Sequence, residues 1–201
     1  MMGKITLSLI KDLRSKTGVG ISDCKEALTE SNGDFEKAVE ILRKKGVLKA
    51  RKRSSKEAIN GFMGSYIHSN GQIGVLVELV CETDFVARND KFQKLAYEIS
   101  LHIAASNPIY VSKEDIPDKV LEKEKEIAKD KLEKEGKPKD ILDKIVIGQL
   151  NKYYGETCLY DQAYVRDEKK TISNLIEEAI ASFGEKIEVR RFVRFEVGES
   201  D

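Results

Sequence analysis

The stretch Ala58–Val80, AINGFMGSYIHSNGQIGVLVELV, decides the fold. Its first half sets Ile59, Phe62, Tyr66 and Ile67 in a strand-forming run. Its second half, Ile73 to Val80, is almost continuously apolar and β-branched. Between them, Ser69-Asn70-Gly71-Gln72 carries the Asn-Gly pair that a type I′ hairpin turn favours. Two antiparallel strands are predicted, in a chain whose other signals are mostly helical.

Toward the C-terminus, Phe92, Leu95, Ala96, Ile99 and Ile103 recur at helical spacing up to Asn107-Pro108, and one face of that helix would cover the hairpin. A further helix runs from Thr171 to Phe183 through Ile172, Leu175, Ile176, Ala179 and Ile180. Along EVRRFVRFEV, Val189, Val193, Phe195 and Val197 alternate, which predicts a third strand completing the sheet. Between these elements the composition becomes mostly Lys and Glu from Pro117 to Glu135, with a thin stripe of Val120, Leu121, Ile127, Ala128 and Leu132. Gly136-Lys137-Pro138 breaks this segment, and Asp140 opens a second helix through Ile141, Ile145, Val146, Leu150 and Tyr153 to Tyr154. Two charged helices with thin apolar seams predict an antiparallel helical hairpin over about 117–154 that projects from the core.

Toward the N-terminus, Ile5, Leu9, Ile10 and Leu13 predict a first helix that stops at Thr17-Gly18-Val19-Gly20. Ser22 or Asp23 can cap a second helix bearing Cys24, Ala27 and Leu28. After Asn32-Gly33, Asp34 caps a third, whose apolar face is Phe35, Ala38, Val39 and Leu42 and which Gly46 is placed to end. The segment RKKGVLKARKRSSK, Arg43 to Lys56, is basic and free of acidic residues, and reads as a linker over 47–57. The expected class is α+β. A three-helix module over 1–46 and a basic linker over 47–57 precede a core over 58–201, in which a three-stranded antiparallel sheet packs with helices beside the projecting hairpin.

Composition narrows the function. Among 201 residues, 35 Lys and Arg balance 35 Asp and Glu, so no overall field draws the chain to nucleic acid or to an anionic membrane. Its three cysteines, Cys24, Cys81 and Cys158, are far apart and form no CxxC pair, which suits buried thiols in a reducing compartment. MMGKITLSLIKDLRSK lacks an apolar leader core, and no run approaches the ~20 apolar residues of a spanning helix, so a cytoplasmic protein is expected. There is no GxxxxGK[ST] loop and no strand followed by GxGxxG. The two histidines, His68 and His102, have no second His or Cys at ligand spacing, and His102 reads as a packing residue. No enzyme, cofactor or metal site is expected.

Two segments carry more than composition does: LRSKTGVGISDCKEAL at Leu13–Leu28, leading to Asn32-Gly33-Asp34, and CETDFVARND at Cys81–Asp90. Both resemble elongation factor Ts, whose N-terminal module and core signature TDFVA they match. Gly136-Lys137-Pro138, the GQLNKYYGE stretch and the closing RRFVRFEVGE look like that family too, in its order along nearly the whole chain. Alone, the N-terminal segment resembles ubiquitin-associated domains, a three-helix fold with several unrelated partners. The length suggests the short form of the family, some of whose members dimerise through the sheet.

The resemblance implies a guanine-nucleotide exchange factor for elongation factor Tu, binding its GDP form. It assigns Asp84 and Phe85 to a wedge that disturbs the partner's magnesium site, flanked by Thr83 and Val86. A second contact would come from Leu13, Arg14 and the loop Thr17, Gly18, Val19, Gly20 and Ile21, with Val19 and Ile21 as apolar anchors. Read from its own surroundings, Phe85 either enters a partner's pocket or tucks under its own helix, and Asp84 can cap the following turn. The competing function is a nucleic-acid adaptor that uses the basic segment as a phosphate-neutralising arm.

Overall fold

The computed structural model describes residues 5–134 and 139–199. Helices α1 (Leu7–Thr17), α2 (Ile21–Glu30) and α3 (Phe35–Arg53) precede strands β1 (Asn60–Ile67) and β2 (Ile73–Cys81). A single helical turn, α4 (Asp84–Ala87), leads into α5 (Asp90–Ser106), then α6 (Asp118–Lys134) and α7 (Lys139–Thr157). A small hairpin of β3 (Ala163–Tyr164) and β4 (Asp167–Thr171), helix α8 (Ile172–Phe183) and strand β5 (Ile187–Glu196) follow. The antiparallel sheet has the order β1-β2-β5, so the chain is α+β as expected. Packing divides it into two compact units. One comprises the described residues up to Gly64 with Glu78–Ala96 and Asn174–Arg190. The other comprises Ser65–Val77, Tyr97–Ser173 and the chain from Arg191 onward.

The first unit is built around the N-terminal helices. Thr6 caps α1 by accepting the Leu9 N–H, and Gly18 ends it at φ 70°, its N–H donating to the Arg14 carbonyl at 2.8 Å. Gly20 precedes α2 without a side-chain cap, so Ser22 and Asp23 lie inside the first turn instead of capping it. Asp34 does cap α3, accepting the Lys37 N–H at 3.0 Å, and that backbone donor is the main reason its carboxyl sits below the usual range. Ile10, Leu13, Val19, Cys24, Ala27, Leu28, Ala38 and Leu42 form the core, joined by Ala181 of α8.

Helix α3 does not end at Gly46 but continues to Arg53, through much of the segment expected to be a linker. Gly46 serves a close approach of helices: a Cβ there would lie 3.2 Å from the Ala181 Cβ. The basic run extends the helix because its charges find acids within the same unit. Arg43 pairs with Glu178, Lys45 with Glu26 and Glu30, Lys49 with Asp23, and Arg53 with Glu82. Deeper in the unit, Phe92 of α5 meets Phe183 edge-on, ring centroids 6.2 Å apart. Gly64 of β1 lets α5 approach so closely that a Cβ there would meet the Ala96 carbonyl oxygen at 2.6 Å.

In the second unit the hairpin closes where the His68 N–H donates to the Ile73 carbonyl at 2.9 Å, around a four-residue loop. Gly71 takes φ 71° and Asn70 does not share that conformation, so this is not the type I′ turn the Asn-Gly pair suggested. Instead the Asn70 Oδ1 accepts the Gln72 N–H. Helices α6 and α7 pack through Ala128 and Val146, with Ile145 and Leu150 beside them. The connecting residues Gly136-Lys137-Pro138 lie outside the described residues.

His102 is fully buried on α5, as its packing reading anticipated. Its Nδ1 accepts the Val165 N–H, which leaves Nε2 to donate to the Gln162 Oε1 at 2.9 Å. Gln162 in turn donates to the Ser106 and Glu156 carbonyls. Burial pushes the imidazole's pKa down, so the ring stays neutral and holds the β3–β4 hairpin in place.

Candidate functional site

The site begins where β2 runs out of apolar residues. After Cys81, Glu82 lies half-buried and its carboxylate accepts the Arg53 Nη1 at 2.9 Å on both oxygens and the Lys186 N–H at 2.6 Å. The backbone donor comes first and the guanidinium after it in holding that carboxyl below its ordinary range. The Asn60 side-chain amide donates to the Glu82 carbonyl at 2.8 Å. The strand end is therefore fixed by side chains from α3 and β1 and by the backbone N–H just before β5.

Thr83 follows with extended backbone and caps α4, its Oγ1 accepting the Val86 N–H. Its own N–H and hydroxyl both donate to the Glu185 carboxylate, at 3.0 and 2.7 Å, and its carbonyl accepts the Cys81 thiol at 3.1 Å. Burial, with the Glu185 charge second, pushes that thiol's pKa up to about 11, so Cys81 remains a neutral donor.

On the single turn that results, Val86 and Ala87 point inward and are buried, while Phe85 is 80 % exposed. The tucked-in alternative for Phe85 is therefore excluded. Leaving a phenyl ring in water forgoes about 1.5–3 kcal/mol of burial. The turn is fixed on both sides and leaves the ring outside. Asp84 does not cap: Thr83 holds that position, and Asp84 pairs with Arg88 at 3.0 Å across the surface. An exposed i,i+4 pair is worth only ~0.3–0.5 kcal/mol, so Arg88 holds this carboxylate weakly.

The N-terminal candidates divide. Leu13 and Val19 are buried in their own core, and Thr17 closes on the Leu13 carbonyl through its hydroxyl. Gly18 accepts the Ser182 hydroxyl on its carbonyl at 2.9 Å, and a Cβ on it would crowd that hydroxyl. Arg14, Gly20 and Ile21 are exposed, so the outward apolar residue beside the TGVG loop is Ile21, the first of α2, rather than Val19. Sequence reading did not find Glu185, Glu82 or Arg53. Glu185 meets Thr83 from 102 residues away, and no local pattern marks such a pairing.

Among the described residues no helix is long and apolar enough to cross a membrane. What the fold and the site define is an α+β protein with an exposed aromatic ring on a braced turn. The family model for elongation factor TS matches residues 20–199. The chain is 52% identical to elongation factor Ts of Thermosipho melanesiensis, the alignment covering 97% of this chain and all of that one. It is 54% identical to that of Syntrophus aciditrophicus over 97% of both chains, and 52% to that of Geobacter sulfurreducens over 97% of this chain and 90% of the other. The chain belongs to the elongation factor Ts family, a family of translation elongation factors.

Proposed function

We propose that this protein is a cytoplasmic guanine-nucleotide exchange factor that binds the GDP form of elongation factor Tu and releases its nucleotide without chemical catalysis of its own. The observation that carries the reading is the exposed Phe85 ring on a turn fixed by Thr83, Val86 and Ala87. Phe85 enters an apolar cleft of the GTPase, and Asp84 leaves Arg88 to engage the same surface. Thr83 and Val86 work from within the turn, one as its cap and the other as its buried foot. Arg14, Ile21 and the backbone of Gly18 and Gly20 supply a second contact, for which Leu13, Thr17 and Val19 provide the scaffold.

In GTPases of this kind a magnesium ion bridges protein and nucleotide phosphates, so a wedge that shifts its ligands weakens GDP without touching the base. Linkage makes the effect reversible, because a factor that lowers GDP affinity is displaced by incoming nucleotide to the same degree. Added to purified elongation factor Tu loaded with a fluorescent GDP analogue, the protein is expected to accelerate release at substoichiometric concentration. Release at the intrinsic rate in the presence of folded protein would remove the assignment.

The nucleic-acid adaptor is disfavoured by the ion pairs of Arg43, Lys45, Lys49 and Arg53, which leave less free charge on α3 than its sequence suggests. A second copy of the chain is a further partner, bound through the sheet. The exposed Ile67 of β1, Leu76 of β2 and Phe195 of β5 support this. Sedimentation equilibrium is expected to show dimer at micromolar concentration, and a monomer throughout that range would rule it out.

A further inference from the structure

The elements that brace the Phe85 turn are distant in sequence, and one of them, Glu185, takes two hydrogen bonds from Thr83. Helix α8 ends at Phe183, where Gly184 adopts φ 73° and its N–H donates to the Ile180 carbonyl at 2.8 Å. That left-handed residue turns the chain and delivers the half-buried Glu185 opposite Thr83. The carboxylate then takes the Thr83 N–H on Oε2 and the Thr83 hydroxyl on Oε1. Because the hydroxyl proton is committed to Glu185, the lone pairs of Oγ1 are left to accept the Val86 N–H that starts the turn. The hydroxyl is thus oriented by one partner in order to cap for the other.

We propose that Glu185 is a positioning residue for exchange: it acts through Thr83 to hold the Phe85 turn in its docking geometry before the partner arrives. This rests on the exchange reading of the same turn. Hydrogen bonds to a charged acceptor are stronger than neutral ones, and two on the same residue fix its orientation as well as its distance. A turn already ordered has less conformational freedom to lose on binding, which is the physical route by which a residue without partner contact affects the rate. Glu82 is held by Arg53, Asn60 and the Lys186 N–H, so it keeps the strand end in place when Glu185 is altered. The effect of Glu185 is accordingly local to the turn.

The test compares wild type, Glu185→Ala, Glu185→Gln and Thr83→Val in the full chain, with two readouts. The first is hydrogen exchange of the free protein. In Glu185→Ala the Thr83 and Val86 amides are expected to exchange about tenfold faster, while amides within β2 and α5 keep wild-type protection. The second is nucleotide release from elongation factor Tu. The maximal rate is expected to fall about tenfold in Glu185→Ala and in Thr83→Val, and less in Glu185→Gln, which retains an acceptor. The Glu185→Ala, Thr83→Val double variant is expected to be no slower than either single one, since both remove the same link.

Unchanged Thr83 and Val86 protection together with wild-type exchange in Glu185→Ala would overturn the proposal. So would loss of protection spread evenly over β2 and α5, which would mark Glu185 as a general structural residue. If wild type itself accelerates nothing, the exchange reading fails, and the amide pattern still decides whether Glu185 holds the turn.

Discussion

Phe85→Ala is expected to lower the maximal rate of nucleotide release from elongation factor Tu about thirtyfold, a ~2 kcal/mol loss of the size seen when an aromatic anchor at an interface is truncated. The expectation rests on a contrast within one turn. Val86 and Ala87 are buried and hold α4 to its unit, whereas the Phe85 ring is outside, so its removal leaves the turn's own packing and the Thr83 cap in place. Thermal unfolding of the variant is expected to match wild type within a degree or two, because an exposed side chain adds little to folding. A variant that both melts early and exchanges slowly would mean that the ring packs inward, contrary to its exposed position on the turn.

The same substitution later in the chain should do the opposite. Phe92 has no exposed surface, and it stacks edge-on with Phe183. Phe92→Ala removes that contact and leaves a cavity that close-packed neighbours fill only in part, at ~3–5 kcal/mol. Against the roughly 5–15 kcal/mol that holds a typical domain, such a loss is a large share. Urea titration is expected to show the midpoint shifted down with an unchanged slope. Nucleotide release, measured well below the variant's melting temperature, is expected to stay within about twofold of wild type, since Phe92 has no part in the docking surface. A loss of less than about 1 kcal/mol would show that the ring is not the core element its burial implies.

How much of this is legible in the sequence follows from what each element depends on. The β1–β2 hairpin announces itself by aromatic and β-branched runs on either side of an Asn-Gly turn signal, and β5 by its alternation, of which Val189 is buried while Val193 and Phe195 lie exposed. Helix α5 is visible for the matching reason at helical period. The end of helix α3 is misread at Gly46 because a glycine serves equally as a helix end and as a point of close helix contact. Only the position of Ala181 distinguishes the two. The basic run after it looks like a linker because its acidic partners, Asp23, Glu26, Glu82 and Glu178, lie elsewhere in the chain. The β3–β4 hairpin leaves no signal at all, since Asp167–Thr171 is polar throughout and its pairing is anchored by His102 and Gln162.

The candidate site divides in the same way. TDFVA stands out as a motif, and its resemblance to a family directs attention to Phe85. Its local context leaves the ring's direction open, and the structure supplies that direction. In the N-terminal loop, Val19 and Ile21 look alike as apolar residues beside glycines, yet only one of them faces solvent. Glu185, Glu82 and Arg53 are silent because a brace between distant segments needs only one residue of suitable charge at each end.

The measurement that bears most directly on the wedge mechanism is stopped-flow release of a fluorescent GDP analogue from elongation factor Tu, with wild type and Phe85→Ala side by side, first in excess magnesium and then with the ion chelated. A wedge acting on the magnesium site predicts strong acceleration by wild type in magnesium, a much smaller one from Phe85→Ala, and convergence of the two once the metal is removed. Equal acceleration by both proteins in magnesium would contradict it.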